Sequence, residues 1–391
     1  MPRRPLRTAA LAAVGIVVGW SALAETVRIG VIAPFSGPFA RYGEQFQQAV
    51  ETYVALNGDD PGGHQVEWLW RDSGGPDPGR AKALARELIV SDGVDYLAGF
   101  TFTPNAMAVA PLITQAEIPT VIFNAATSTI TEASPFFVRA SHTLAQLAAP
   151  AARHAHGEGA RKVVTAVTDY APGHNAEEAF TAAFEAEGGE VLDRIRMPLK
   201  TTDFAPFVQR IKDSGADAVF VFLPVGPPTF AFVKAYNDNA LADAGITFYG
   251  TGETDETTLE ALGDAALGLT TLYHYSAAHD SPENAAFQAK LAELHPGAIA
   301  NFMSVGAYDG AHLLWTMIEA AGGSDPEAAI EAVEGLEWTS PRGPLKLDPE
   351  TRHVTQNVYV RRVERDAETG RLVNREVETL PDQPDWGLVG D

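Results

Sequence analysis

The chain has 391 residues, with 51 acidic against 28 basic side chains for a formal charge of −23, and it has no cysteine. The missing cysteine excludes disulfide scaffolds, zinc fingers, iron–sulfur clusters and thiol nucleophiles. The acidic excess, without clustered Lys and Arg, argues against nucleic acid as a partner. A content of 46% hydrophobic and 20% charged residues is globular, and the length suits about two domains.

Residues 1–24 run from Arg3, Arg4 and Arg7 through an apolar stretch, Thr8 to Trp20, to Ser21-Ala22-Leu23-Ala24. This is the layout of a secretory signal cleaved after Ala24. The apolar run is short and broken by glycine for a span of roughly 30 Å of hydrocarbon. Removing it leaves 367 residues with a formal charge of −26. No cysteine follows the cut to carry a lipid, so the expectation is a soluble exported protein.

Thr26 to Pro34 reads as a buried strand. Phe39, Tyr42, Phe46, Val50, Tyr53 and Leu56 then fall at helical steps that stop at Asn57-Gly58. Gln65 to Arg71 is a strand, Arg80 to Ser91 a helix, Tyr96 to Gly99 a strand, Pro104 to Gln115 a helix, and Pro119 to Phe123 a strand. The pattern restarts with strand Arg161 to Thr168, helix Gly173 to Glu187 and strand Val191 to Met197. Helix Phe204 to Ser214, strand Ala218 to Leu223, helix Pro228 to Asn239 and strand Thr247 to Gly250 follow. Alternation of this kind predicts two similar α/β lobes, each a mainly parallel sheet flanked by helices. Further on, Gly268 to Tyr275 reads as a strand, and Asn284 to Leu294, Ser304 to Ala321 and Pro326 to Gly335 as helices. Pro344 to Val363 reads as a hairpin turning near Asp348-Pro349, and residues 364–391 as an acidic extended tail.

In such sheets the ligand lies beyond the carboxyl ends of the strands, where helix N-termini point outward. The first strand leads to Phe35, Ser36 and Tyr42, the third to the loop from Phe100 through Phe102 and Thr103, and the fourth to Asn124-Ala125-Ala126-Thr127. The second lobe offers Asp169-Tyr170, Pro224-Val225-Gly226 and Thr251-Gly252-Glu253. Hydroxyls and helix N–H groups suit a carboxylate and aromatic rings suit an apolar or planar body, so these loops point to recognition rather than reaction. Other readings stay open: Thr103 and Thr127 as N-caps, Tyr42 as a core residue, Phe100, Phe102 and Tyr170 as packing beneath loops, and Asp169 and Glu253 as solvated loop acids.

Catalytic chemistry finds little footing. There is no GxSxG elbow, no P-loop and no GxGxxG, and His154-Ala155-His156 has poor helical spacing for a metal. No enzyme activity, cofactor or metal is expected.

The stretch VRIGVIAPFSGPFARYGEQFQQAVE resembles the opening of type I periplasmic binding proteins, the leucine/isoleucine/valine-binding group that serves ABC importers. RKVVTAVTDYAPG, TDFAPFVQRIKDSGADAVFVF and SPRGPLKLD extend the resemblance along most of the chain. Asn124-Ala125, Asp169-Tyr170 and Ser340-Pro341-Arg342-Gly343-Pro344 are similar to the branch grouped with aromatic-compound and alkylbenzene uptake. The resemblance implies a Venus-flytrap fold with three crossovers, near residues 142–146, 274–278 and 335–340. Lobe one would comprise 25–143 and 277–336, and lobe two 144–276 and 337–363.

The resemblance also implies that Thr103 and Ala125-Ala126-Thr127 grip a ligand carboxylate, that Tyr170 covers the ligand, and that an acid near Glu253 meets an ammonium. Phe35, Tyr42, Phe102 and Val225 complete the candidate site. The expected ligand is a small carboxylate with an aromatic or branched apolar body, with aromatic acids favoured by Phe100, Phe102 and Tyr170. The expected partner is an inner-membrane ABC permease, and the expected state a monomer. A sensory receptor on the same fold is the alternative.

Overall fold

Residues 26–323 and 325–387 are described by the structure, a computed structural model. The expected signal segment, 1–24, lies outside them.

The first sheet is built from β1 (Thr26–Ala33), α1 (Ala40–Asn57), β2 (Gln65–Asp72), α2 (Pro78–Glu87), β3 (Tyr96–Gly99), α3 (Thr103–Ala116), β4 (Thr120–Ile122) and β5 (Phe137–Arg139). Its strands are all parallel, in the order β2-β1-β3-β4-β5. Central β1 is a near-continuous apolar run whose Val27, Ile29, Val31 and Ile32 are buried, as a strand covered on both faces requires.

The second lobe begins with α4 (Leu144–Gly157), which packs on α5 (Ala171–Ala186). Here β6 (Lys162–Thr168), β7 (Glu190–Met197), α6 (Ala205–Asp213), β8 (Ala218–Phe222), α7 (Pro227–Asp238), β9 (Thr247–Gly250), α8 (Glu256–Leu262) and β10 (Thr270–Tyr273) form a parallel sheet. Its order, β7-β6-β8-β9-β10, repeats that of the first. The repetition extends to a close approach at the start of each lobe's first helix. A Cβ on Gly43 would lie 2.2 Å from the Pro34 carbonyl oxygen, and one on Gly173 would lie 1.9 Å from that of Thr168. Glycine lets both helices sit directly on the end of their strand.

The chain then returns to the first lobe, where α9 (Pro282–Leu294) and α10 (Phe302–Ala321) pack on α1, and α11 (Pro326–Glu331) on α10. It ends in the second sheet with β11 (Glu337–Ser340), β12 (Gly343–Leu347), β13 (Val354–Arg365) and β14 (Leu372–Gln383). These strands are antiparallel to one another, and β13 joins them to β10.

One sequence expectation is corrected. Residues 364–387 are not an extended tail, because Leu372–Gln383 pairs along β13 from Gln356 to Arg365 and covers its edge opposite β10. Beyond it, the Asp385 carboxylate accepts hydrogen bonds from Ser128 (2.7 Å) and Thr143 (2.9 Å), and Trp386 lies under the Arg153 guanidinium at 4.2 Å. The stretch between Phe123 and Arg161, in which the sequence reading delimits no strand or helix, contains β5 and α4.

The Ser340-Pro341-Arg342-Gly343-Pro344 motif has a structural role where the lobes meet. Arg342 is fully buried and its Nε bonds Asp309 of α10 at 2.7 Å. The same guanidinium donates to the carbonyl of Ala140, on the first connection between lobes, and to Gln356 of β13. Trp338 and Ser340 also donate to Asp309, so the buried pair is satisfied on both sides.

Candidate functional site

The carboxyl ends of the two sheets face one another across a cavity with about 520 Å³ of empty space, counting its opening to solvent. The first lobe contributes Tyr42 from α1, Thr101, Phe102 and Thr103 after β3, Asn124 and Ala126 after β4, and Phe302 and Met303 at the start of α10. Tyr170, Phe222 to Val225, Thr251, Gly252 and Tyr273 face them from the second lobe, and His142 stands on the connection.

Aromatic rings dominate this wall. Phe102 packs edge-on to Phe39 (5.0 Å between centroids), and Phe302 packs edge-on to both Tyr42 (6.3 Å) and Tyr273 (5.3 Å). On the opposite side, Tyr170 stacks on Phe222 with 17° between planes. Such faces suit a flat apolar body. None of the side chains lining the cavity is an Asp, Glu, Lys or Arg.

Hydrogen bonds cross between the lobes around the cavity. The Tyr42 hydroxyl donates to the Val225 carbonyl at 2.6 Å, Ser128 donates to Asn175 at 3.3 Å, and the Asn301 amide donates to Asp255 at 3.3 Å. These bonds tie the two lobes to one another beside the cavity.

Polar order on the first-lobe side centres on Thr103 and Thr127. Their hydroxyls lie 3.0 Å apart, and neither makes a capping bond to a helix, so the N-cap reading is replaced by a side-chain pair. Thr103 opens the 14-residue helix α3, whose N-terminal dipole favours a negative group. Behind Thr127, its carbonyl accepts a 2.6 Å bond from Arg139, a fully buried guanidinium. Burial brings Arg139 down to about 10, which leaves it cationic. A positive charge one residue behind the wall gives the cavity a local attraction for anions that the net charge of −23 opposes.

Five sequence-predicted residues stand on the cavity wall: Tyr42, Phe102, Thr103, Tyr170 and Val225. Four do not. Phe35 turns edge-on to Trp70, 5.8 Å away. Ala125 is buried with its N–H given to the Phe100 carbonyl, leaving Ala126 on the wall. Thr127 stands off the wall, its hydroxyl paired with that of Thr103. Glu253 is neither a solvated acid nor a cavity group: it is fully buried, and its carboxylate accepts the backbone N–H groups of Leu223 (2.8 Å) and Thr251. Burial pushes its pKa up to about 7, against the pull of those hydrogen bonds. Its work is to hold together the loops after β8 and β9.

Asp169 is exposed and pairs with His174 at 2.7 Å, while His154 bonds Glu378 at 3.1 Å and His156 packs edge-on to Phe184. His142, Tyr273, Phe302 and Met303 went unnoticed in the sequence. Tyr273 ends the fifth strand of its sheet, so the strand-end rule, carried one strand further, identifies it. Behind it, Arg361 lies over the ring at 4.9 Å and donates to the Thr251 carbonyl at 3.2 Å, fixing two wall residues from outside.

Residues 26–369 match the family model described as "Periplasmic binding protein". The chain is 52% identical to Leu/Ile/Val-binding protein homolog 6 of Brucella abortus (strain 2308), over 94% of this chain and 95% of that protein. Among solved structures, it resembles an ABC-transporter solute-binding protein of R. palustris in complex with 4-hydroxybenzoate (54% identity, TM-score 0.90, 94% and 100% of the two chains). It also resembles one of Rhodopseudomonas palustris BisB5 in complex with 3,4-dihydroxybenzoic acid (42% identity, TM-score 0.87, 93% and 99%). Two repeated parallel lobes meeting over an aromatic-walled cavity, and a match along nearly the whole described chain, have one source: the chain belongs to the periplasmic binding protein family.

Proposed function

We propose that this protein is the periplasmic binding component of an ABC importer and that it captures an aromatic acid of the hydroxybenzoate class by lobe closure. The observation that carries the choice of ligand is a cavity walled by aromatic rings and free of charged side chains, with the one expected acid, Glu253, engaged by backbone N–H groups. An amino-acid ammonium buried there would meet no carboxylate, a desolvation loss of several kcal/mol. An aromatic carboxylate meets the Thr103–Thr127 pair, the start of α3 and the field of Arg139. The solved relatives holding 4-hydroxybenzoate and 3,4-dihydroxybenzoic acid support the same class.

The magnitudes fit. Micromolar binding needs about 8 kcal/mol. Burying ~150 Å² of ring surface supplies roughly 4 kcal/mol at ~25 cal/mol/Å². Charge-assisted hydrogen bonds at ~1.5–3 kcal/mol each supply the rest.

In this reading Thr103, supported by Thr127, takes the carboxylate, while Phe102, Tyr42, Tyr170 and Val225 enclose the ring. Lobe one (25–143 and 277–336) and lobe two (144–276 and 337 onward, with β14 included) turn about the crossovers near 142–146, 274–278 and 335–340. Residues 1–24 are the export signal, cut after Ala24, and the mature monomer delivers its ligand to an inner-membrane permease.

A thermal-shift and calorimetric screen tests the proposal, since ligand at 100 times its Kd adds about 2.7 kcal/mol to stability. Stabilisation by 4-hydroxybenzoate, with none by leucine or phenylalanine, is the expected result. Stabilisation by leucine alone overturns it.

A further inference from the structure

Behind the cavity wall, the dipeptide Thr127-Ser128 is held from two directions by opposite charges. The Thr127 carbonyl accepts a bond from Arg139 Nη2 at 2.6 Å, and the Ser128 hydroxyl donates to the Asp385 carboxylate at 2.7 Å. Arg139 ends β5 of the first lobe, whereas Asp385 arrives from beyond β14, at the far end of the chain. Both side chains are buried, so their fields act through protein rather than water.

The neighbouring groups leave these two as the charge pair. Arg139 Nε and Nη1 have no hydrogen-bond partner among the described residues, and Asp385 is the acid whose charge acts on Arg139, against the effect of burial. His353 Nε2 lies 3.2 Å from Asp385 and donates to the Ser128 carbonyl. Burial and the charge of Arg139 hold that imidazole well below the usual histidine range, so it is neutral. Arg352, the other nearby cation, gives its guanidinium to the carbonyls of Phe137 and Thr131.

A ligand carboxylate at Thr103 stands on the cavity side of Thr127, while Asp385 stands behind it, at Ser128. The two anions share one cation and repel each other. The hydroxyl contacts of 2.7 Å and 3.0 Å and the single residue step between them put them ~10 Å apart. A unit charge at ~10 Å in an effective dielectric of ~20 changes the affinity of an anion by up to about fifteenfold.

We propose that Asp385 tempers the attraction of the cavity for carboxylates, opposing Arg139 from behind so that a captured anion is held weakly enough to be given up. The proposal rests on the aromatic-acid reading and adds the residue that sets the strength of its carboxylate contact.

Calorimetric titration of the mature protein with 4-hydroxybenzoate and with its uncharged counterpart 4-hydroxybenzamide provides the test. Asp385→Asn removes the charge and keeps Oδ1, the atom that accepts from Ser128, Thr143 and the Gly387 N–H. The expected result is tighter binding of the acid than in wild type, with the acid-to-amide affinity ratio raised about threefold or more. A residue that only braced the wall would weaken both ligands when changed. Asp385→Glu keeps the charge and is expected to leave the ratio within about twofold of wild type. Asp385→Ala stands in if Asp385→Asn does not fold. A ratio that is unchanged or lower without the charge, or raised as much by Asp385→Glu, overturns the proposal while the aromatic-acid reading stands. Binding of leucine with no binding of 4-hydroxybenzoate overturns both.

Discussion

The Tyr42 hydroxyl and the Val225 carbonyl, 183 residues apart in sequence, meet at 2.6 Å across the mouth of the cavity. Tyr42 stands on the first helix of one lobe and Val225 in the loop after β8 of the other, so this bond exists only when the lobes are shut. In Tyr42→Phe the ring contacts with Phe102 and Phe302 remain, and a buried carbonyl loses its donor at a cost of roughly 1–2 kcal/mol. We expect ligand affinity to fall about fivefold to thirtyfold in calorimetry. A change below twofold would show that the bond does not contribute to closure.

Thr103→Val and Thr127→Val separate direct contact from support. Thr103 lies on the wall, whereas Thr127 reaches it only through the 3.0 Å hydroxyl pair. Removing a hydrogen bond to a charged ligand group costs about 1.5–3 kcal/mol, so Thr103→Val should weaken 4-hydroxybenzoate binding at least tenfold. Thr127→Val should weaken it less, by about fivefold. Equal affinities for wild type and Thr103→Val would remove the carboxylate assignment.

Tyr170 presents its ring, stacked on Phe222, to the cavity. Tyr170→Phe keeps that face and should bind within threefold of wild type. Tyr170→Ala opens the wall and forfeits on the order of 2–3 kcal/mol of apolar contact, some thirtyfold or more in Kd. Isothermal titration distinguishes them, and comparable losses in both variants would assign the effect to the hydroxyl.

Buried carboxyls make part of the stability depend on pH. Burial raises Glu253 and Glu256 from 4.5 to about 7. Between those values the folded protein holds protons that the unfolded chain has released, so this contribution is complete below 4.5 and is lost as pH rises through about 7. Glu253→Gln stays neutral but sets an amide N–H against one of the two backbone donors. Its melting temperature should therefore lie further below wild type at pH 5 than at pH 7.5. The reverse order would indicate that Glu253 is ionised in the folded protein throughout.

Asp385 fastens the end of the chain to Ser128 of the first lobe and to Thr143, the N-cap of α4. Asp385→Ala leaves both buried hydroxyls without this acceptor and should lower the melting temperature by a few degrees, for a loss of roughly 1–3 kcal/mol. An unchanged melting temperature would mean that the C-terminal residues are bystanders.

The repeated strand–helix alternation was legible because central parallel strands are continuous apolar runs and most of the helices between them carry one apolar stripe, as in Thr26–Ala33 followed by Ala40–Asn57. Helix Leu144–Gly157 was passed over although it has an apolar stripe, because it is alanine-rich, contains Pro150 and has few large apolar side chains to mark that stripe. Strand Leu372–Gln383 hid for a different reason. It is a charged, proline-containing edge whose pairing with β13 is set by backbone hydrogen bonds rather than by an apolar face.

The amino-acid sequence by itself determined the two-lobed α/β plan, the strand ends where a ligand must sit and the mix of hydroxyls and aromatics there, since these follow from local periodicity and residue chemistry. Only the tertiary structure decided which way each side chain faces. It turned Glu253 inward to backbone donors, joined Thr103 to Thr127 with Arg139 behind them, and brought Asp385 from the end of the chain to Ser128. Those outcomes depend on contacts between segments far apart in the chain, where burial and the supply of donors, not spacing along the sequence, settle what a residue does.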